Sequence, residues 1–352
     1  MPLTVIDQGF PDNWLWRKYD TKFVKSISLQ IDKLWPEKQN LLINLTWFGP
    51  MFPKKGWKVY QDLIEKTKTF DNLFLIATVD PPGIDNSLIQ EMLRCLGATD
   101  LYLLGNFDGR YSFNFFAPVL LENFRQYNDS ELTLEKLNFK FISYNRKPRK
   151  HRVDLVKLIK IEGLDRYGII TLGKPNLLYN PDSNNNLYLS IGEKCEDYVE
   201  WGHWYNLDTP DEFGIPHDLL SLHNIEYWKG HFLHIVNATE SSVHRNMFVS
   251  ETQFKPIIGM RPFVINGNIL TYQWLRDNGF RTFNHWWPEA DLENPAKMHE
   301  AIISVLKNIT NKSDQEILDI YQEMLPDIRH NRNRFFEFAK EQCRRIENIF
   351  CF

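Results

Sequence analysis

Residues 236–263 read V-N-A-T-E-S-S-V-H-R-N-M-F-V-S-E-T-Q-F-K-P-I-I-G-M-R-P-F, and the way this stretch parses decides the fold. It opens on the end of an apolar run, His231–Val236, that suits a buried strand. A polar loop with Glu240, His244 and Arg245 follows. Ser250 and Gln253 stand at capping-box spacing, so a helix starts at Glu251 and stops at Gly259. Beyond Arg261-Pro262 a second apolar run, Phe263–Ile265, suits another strand. The unit is strand–loop–helix–strand, with the carboxylate of Glu251 at the helix start and Lys255 one turn in. The N–H groups at a helix start and the macrodipole both favour negative charge. A carboxylate in the same place can accept two hydroxyls of a sugar. The same pattern also suits an ordinary capped helix of an α/β domain.

Working outward towards the N-terminus, Phe139–Tyr144 reads as a strand that runs into N-R-K-P-R-K-H-R, residues 145–152. A helix follows over Val153–Glu162, closed by Gly163. This is the densest basic cluster of the chain, at the handover from a strand to a helix start. Arg146, Arg149 and His151 there suit a diphosphate, since Arg offers forked donors and the helix start adds N–H groups. A solvated basic loop or a patch for nucleic-acid backbone has the same composition. There is no GxGxxG and no GxxxxGK[ST], so dinucleotide-oxidoreductase and P-loop readings lack their fingerprints.

The segment V-S-E-T-Q-F-K-P-I-I-G-M-R-P-F resembles the donor-nucleotide segment of GT-B-fold glycosyltransferases, in particular fucosyltransferase-like enzymes and capsule- or phage-encoded relatives with a T/S-E-K-x-F-K-P-I-x-x-G-x-P-F pattern. N-R-K-P-R-K-H-R resembles an N-R-x-x-R-x-H-R element of the same proteins. The resemblance implies that Glu251, next to Ser250, holds the nucleotide ribose and that Lys255 faces the diphosphate. It departs at Thr252, where lysine is usual. It covers residues from about 140 to 300 and does not reach the first half by motif.

The first half shows alternation instead. Asn40–Thr46, Leu73–Val79 and Leu101–Leu104 read as strands, and Gly56–Lys66, Ser87–Leu96 and Phe113–Phe124 as helices. Strands alternating with helices mean βαβ units and a parallel sheet covered on both faces, with ligands beyond the carboxyl ends of the strands. Residues 1–35, rich in Trp and Lys, carry no clear period. Three strand ends suit a site: Trp47-Phe48-Gly49-Pro50, Asp80-Pro81 and 106–110. Asp108 and Asp80 are the acidic candidates for a base that takes a proton from an acceptor hydroxyl, though D-G and D-P are also common turn dipeptides. No histidine precedes His151, so a histidine base from this half is excluded.

In the second half, Tyr167–Leu172 reads as a strand, residues 174–216 as loop, Asp218–Trp228 as a helix, Ile269–Asn278 as a helix and Phe280–Phe283 as a short strand. Residues 295–308 suit an amphipathic helix, and two further helices, Asp314–Met324 and Asp327–Ile349, end the chain. His217, His223, His231 and His234 lack the i, i+4 spacing of a helical zinc site, and no cysteine lies close. No D-x-D occurs; its nearest imitation is Glu289-Ala290-Asp291-Leu292-Glu293.

With 352 residues, 43% hydrophobic and 14% aromatic, the chain can fill two cores. Net charge −4 and pI near 6.2 supply no global pull on nucleic acid. The four scattered cysteines have no metal spacing and suit a reducing, cytoplasmic compartment. No signal peptide and no membrane span are expected. The expectation is an α/β protein of two Rossmann-like domains facing across a cleft: an acceptor-side domain over 1–138, a donor domain over 139–312, and C-terminal helices over 313–352 packing back. It would move a sugar from a nucleoside-diphosphate sugar to a glycan or other hydroxyl acceptor, with no metal required. Glu240 would hold a sugar or base hydroxyl. The alternatives are a glycosyltransferase acting on a modified base in DNA, and a non-catalytic α/β protein that binds an anion or nucleotide.

Overall fold

The computed structural model describes residues 3–7, 17–44, 70–77, 98–105, 110–124, 127–145, 150–170, 222, 225–238 and 249–351. Within them lie two four-stranded, wholly parallel sheets. Leu41–Ile43, Leu73–Ile76, Phe141–Ile142, Phe232–Leu233 and Phe263–Ile265 are all buried. Continuous apolar runs of this kind belong to strands covered on both faces. The chain divides into two compact units, Met1–Leu121 with Phe338–Phe352, and Glu122–Glu337. From sequence the first boundary is expected at 138/139.

The first unit holds β1 (Thr4–Asp7), β2 (Asn40–Asn44), β3 (Asn72–Ala77) and β4 (Asp100–Gly105), in the order β1-β2-β3-β4. Helix α1 (Arg17–Leu34) buries Phe23, Val24, Ile27 and Ile31, an apolar stripe at helical spacing. β1 and α1 occupy the stretch whose sequence shows no clear period. At the amino edge, Asn72 Nδ2 donates to Asn40 Oδ1 at 2.8 Å, joining register partners. Helix α2 (Phe116–Phe124) starts later than expected. Phe113 N is taken by Gly105 O, and Asn114 Oδ1 accepts Ala117 N at 2.9 Å. The expected helices Gly56–Lys66 and Ser87–Leu96 lie outside the described residues.

The second unit holds α3 (Asp129–Leu132), β5 (Phe139–Ser143), α4 (Lys150–Ile161), β6 (Gly168–Ile170), α5 (Ile225–Gly230), β7 (His231–Asn237), α6 (Glu251–Ile258) and β8 (Phe263–Asn266). After these come α7 (Leu270–Asp277), α8 (Glu289–Leu292) and α9 (Met298–Thr310). The sheet order is β6-β5-β7-β8. From β5 the chain moves outward to β6, then returns to the other side of β5 to lay down β7 and β8. The order therefore reverses between β5 and β7. At such a switch point the two neighbouring connections leave in opposite directions and open a crevice at the carboxyl edge.

Two expectations are corrected. Phe280–Phe283 is not a strand. The outer edge of β8 is already engaged, since Ile265 N donates to Tyr272 OH at 2.9 Å. The backbone at 281 pairs with the side chain of Asn331 in both directions, at 2.7 and 2.8 Å. The C-terminal pair of helices is one helix, α10 (Asp314–Glu347, 34 residues), with Pro326 inside it. Interior proline costs roughly 3 kcal/mol, which is why the sequence suggests a break. Here Ile317, Tyr321, Met324, Leu325, Ile328, Phe335 and Phe338 are buried on both sides of the proline, and their packing outweighs that cost. Residues 314–337 of α10 count with the second unit and 338–347 with the first.

Candidate functional site

The carboxyl edge of the second sheet, at the β5/β7 switch point, is where the sequence-expected site residues can be placed. Three of its four strands end on a short polar residue that is buried: Ser143 on β5, Asn237 on β7 and Asn266 on β8, with Asn145 just beyond β5. Asn237 and Asn266 are register partners. Asn266 Nδ2 donates to Asn237 Oδ1 at 2.9 Å, and Asn237 Nδ2 donates to Ser143 Oγ at 2.9 Å. Asn145 Nδ2 also donates to Ser143 Oγ, at 3.1 Å. His299, at the start of α9, closes the other end with Nε2 3.1 Å from Asn266 Oδ1. A buried amide must be satisfied or it costs about 1–3 kcal/mol, and within this ladder the amides of Asn237 and Asn266 are satisfied by their neighbours.

Helix α4 is docked onto that ladder by its first turn. Arg152 is buried, and its Nη2 donates to the carbonyls of Asn237 and Ala238, both at 2.8 Å. His151 Nε2 lies 3.1 Å from the same Ala238 carbonyl, so that nitrogen carries the proton. Asn266 Nδ2 reaches His151 O at 3.3 Å. Lys150 pairs with Asp154 at 2.5 Å on the exposed side. The described half of the basic run is thus engaged with protein groups. Its sequence reads as a uniform cation patch, whereas Arg152 is an anchor that faces inward. Arg146 and Arg149 lie outside the described residues, as does Glu240.

Helix α6 begins as its sequence implies. Ser250 is the N-cap: Gln253 Oε1 accepts Ser250 N at 2.9 Å, and Ser250 Oγ accepts Thr252 N at 3.4 Å. Thr252 Oγ1 lies 2.8 Å from Gln253 Oε1 and 3.0 Å from Ser250 Oγ, so the residue standing where lysine is usual completes the cap. Ser250 and Glu251 are buried, and Lys255 is one turn on at i+4, on the same helix face as Glu251. As the helix of a parallel β7–α6–β8 crossover, α6 starts at the carboxyl edge of the same sheet as α4. The structure therefore puts His151, Ser250, Glu251 and Lys255 on helices that start at one sheet edge.

Beneath α6, His231 and His234 are buried with Trp228, whose ring stacks on His234 at 4.9 Å. Burial holds both imidazoles neutral, aided by the charge of Arg261 on each and of Lys255 on His234. The His234 pKa falls to about 3. His231 Nδ1 lies 2.7 Å from Tyr227 O, and His234 Nδ1 3.4 Å from His231 Nε2. These rings are packed core groups. The carboxylates of Glu289 and Glu293 are drawn to Arg276, at 3.0 and 2.5 Å, and Asp291 pairs with Lys297 at 3.2 Å.

The catalytic candidates Asp80 and Asp108, and Trp47–Pro50, lie outside the described residues. The amide ladder and His299 are absent from the sequence reading. The available signal is a short polar residue ending each buried apolar run, as in H-F-L-H-I-V-N and F-V-I-N. Among the described residues no helix is long and apolar enough to cross a membrane, and no three His, Cys, Asp or Glu side chains gather as a metal site requires. No protein family, curated protein or solved structure matches this chain.

Proposed function

We propose that this chain is a GT-B-type glycosyltransferase that takes a nucleoside-diphosphate sugar at the carboxyl edge of its second sheet and passes the sugar to a hydroxyl of a glycan or similar acceptor. The observation that carries the proposal is the switch point between β5 and β7. The two segments that resemble donor-binding elements begin beside it, N-R-K-P-R-K-H-R after β5 and V-S-E-T-Q-F-K-P after β7. In an open parallel sheet that is where a nucleotide is expected.

In this proposal Glu251 accepts the ribose hydroxyls, and Arg146, Arg149 and Lys255 offset the charge that develops on the leaving diphosphate. His151 supports the α4 end of that site, and Glu240 holds a sugar or base hydroxyl. Asp108 or Asp80 on the first unit takes the acceptor proton. The arrangement proposed is the GT-B one, two Rossmann-like domains with the site between them, in a cytoplasmic enzyme. Cationic side chains and helix starts take the place of a divalent ion at the phosphates. The test is a thermal-shift screen of UDP, GDP and CDP in buffer containing EDTA. A cognate diphosphate at about 100 times its Kd should add roughly 2.7 kcal/mol of stability. The proposal fails if none of the three shifts the melting temperature at millimolar concentration, with or without Mn²⁺. A shift seen only with Mn²⁺ would refute metal independence.

A further inference from the structure

His299 is the second residue of α9 and lies outside both resembling segments in sequence. It nevertheless completes the polar network under α4. Asn266 uses its whole amide: Nδ2 donates to Asn237 Oδ1 at 2.9 Å and to His151 O at 3.3 Å, and Oδ1 faces His299 Nε2 at 3.1 Å. Since Oδ1 can only accept, His299 must present Nε2–H. Turning the amide over would set Oδ1 against the carbonyl of His151 and Oδ1 of Asn237, acceptor on acceptor. The imidazole is half-buried, shares a hydrogen bond with the backbone of His151 and is acted on by Asp154 and Lys150, all three on α4.

We propose that His299 is a positioning residue, which through Asn266 and through its own bond to the backbone of His151 holds the first turn of α4 against the ends of β7 and β8. Its importance for a ligand rests on the donor-site proposal above; the positioning itself does not. His299→Leu removes the donor and leaves Asn266 Oδ1 buried beside an apolar group. His299→Gln keeps an N–H of similar reach. In hydrogen-exchange measurements on the full chain, the Leu variant should speed exchange in peptides spanning 144–154 by tenfold or more. Peptides of α6 and of β3 should keep the wild-type rate, and the Gln variant should restore the wild-type rate over 144–154. Pyrophosphate affinity should follow the same order, falling in the Leu variant and returning in the Gln variant.

Exchange over 144–154 that stays at the wild-type rate in the Leu variant would overturn the proposal. So would equal acceleration in α4, α6 and β3, because that is general destabilisation. Nitrogen-detected imidazole spectra of the wild type supply a measurement that no variant's misfolding can spoil: a neutral Nε2–H tautomer is expected, and an Nδ1–H tautomer would refute the direction of the ladder. Wild-type protein that binds no pyrophosphate, yet shows the local exchange effect, would sink the donor-site proposal and leave the positioning role standing.

Discussion

Arg261 is a fully buried cation whose partners among the described residues are carbonyl and hydroxyl oxygens. It donates to Leu132 O at 2.7 Å, to Gly259 O and Met260 O at 3.2 and 2.7 Å, and to Trp228 O. These carbonyls close α3, α6 and α5, the ends where helix dipoles are negative, so the charge is answered by peptide groups. Burial lowers its pKa to about 10, which leaves it charged at neutral pH. His231 and His234 stand in the field of that charge and are kept neutral. The native state therefore binds fewer protons than the unfolded chain, whose histidines titrate near 6.5. Stability from both rings is complete above about pH 6.5 and falls as pH drops, the part due to His234 being lost towards pH 3 at up to roughly 1.4 kcal/mol per pH unit. His234→Phe keeps a ring under Trp228 and has nothing to protonate. Urea midpoints between pH 7 and 4.5 should fall less steeply in this variant than in the wild type. Parallel curves would show that His234 does not titrate as its burial requires. The sequence spacing of these histidines already argues against a metal site, and the apolar pairs that flank His234, Phe232-Leu233 and Ile235-Val236, are the local clue to its burial.

At the scale of elements, strands are the most legible part of the sequence. Leu-Leu-Ile-Asn and Phe-Val-Ile-Asn are apolar runs stopped by an amide, and each is a parallel strand with the amide at its carboxyl end. The start of α6 is legible because Ser250 and Gln253 form their capping box within four residues of chain. What local pattern cannot report is competition from distant partners. Asn331 takes the backbone of Arg281 out of reach of a sheet, and Tyr272 blocks the β8 edge. Pro326 is the other instance. It is exposed, as is Gln322, whose carbonyl loses its helical donor, and the buried stripe passes on the opposite face. Pro326→Ala restores that donor without opening a cavity. It should raise the thermal midpoint, by an amount corresponding to about 1–3 kcal/mol, part of the helix penalty being offset by the looser unfolded chain. A lowered midpoint would mean that the proline shapes α10 for a purpose other than stability.

For the molecule as a whole, alternation of strands and helices announces parallel sheets, and both sheets are parallel. The strand order is a different kind of information. Nothing local says that β7 returns to the far side of β5, and yet that return is what makes β5 and β7, the strands that lead into the two resembling segments, neighbours in the sheet. The site is thus half legible: its residue types stand in the sequence, while their meeting place and the amide ladder beneath it require the fold. The central claim is that a nucleoside diphosphate occupies this edge. The most direct measurement is photo-crosslinking of the full chain with azido-nucleoside diphosphates, followed by mapping of the labelled peptides. Label confined to peptides covering 139–161 and 239–261, and competed away by the unmodified nucleotide, is the predicted result. Label on peptides of the first sheet, 70–77 or 98–124, with none at 139–161 or 239–261, would contradict it.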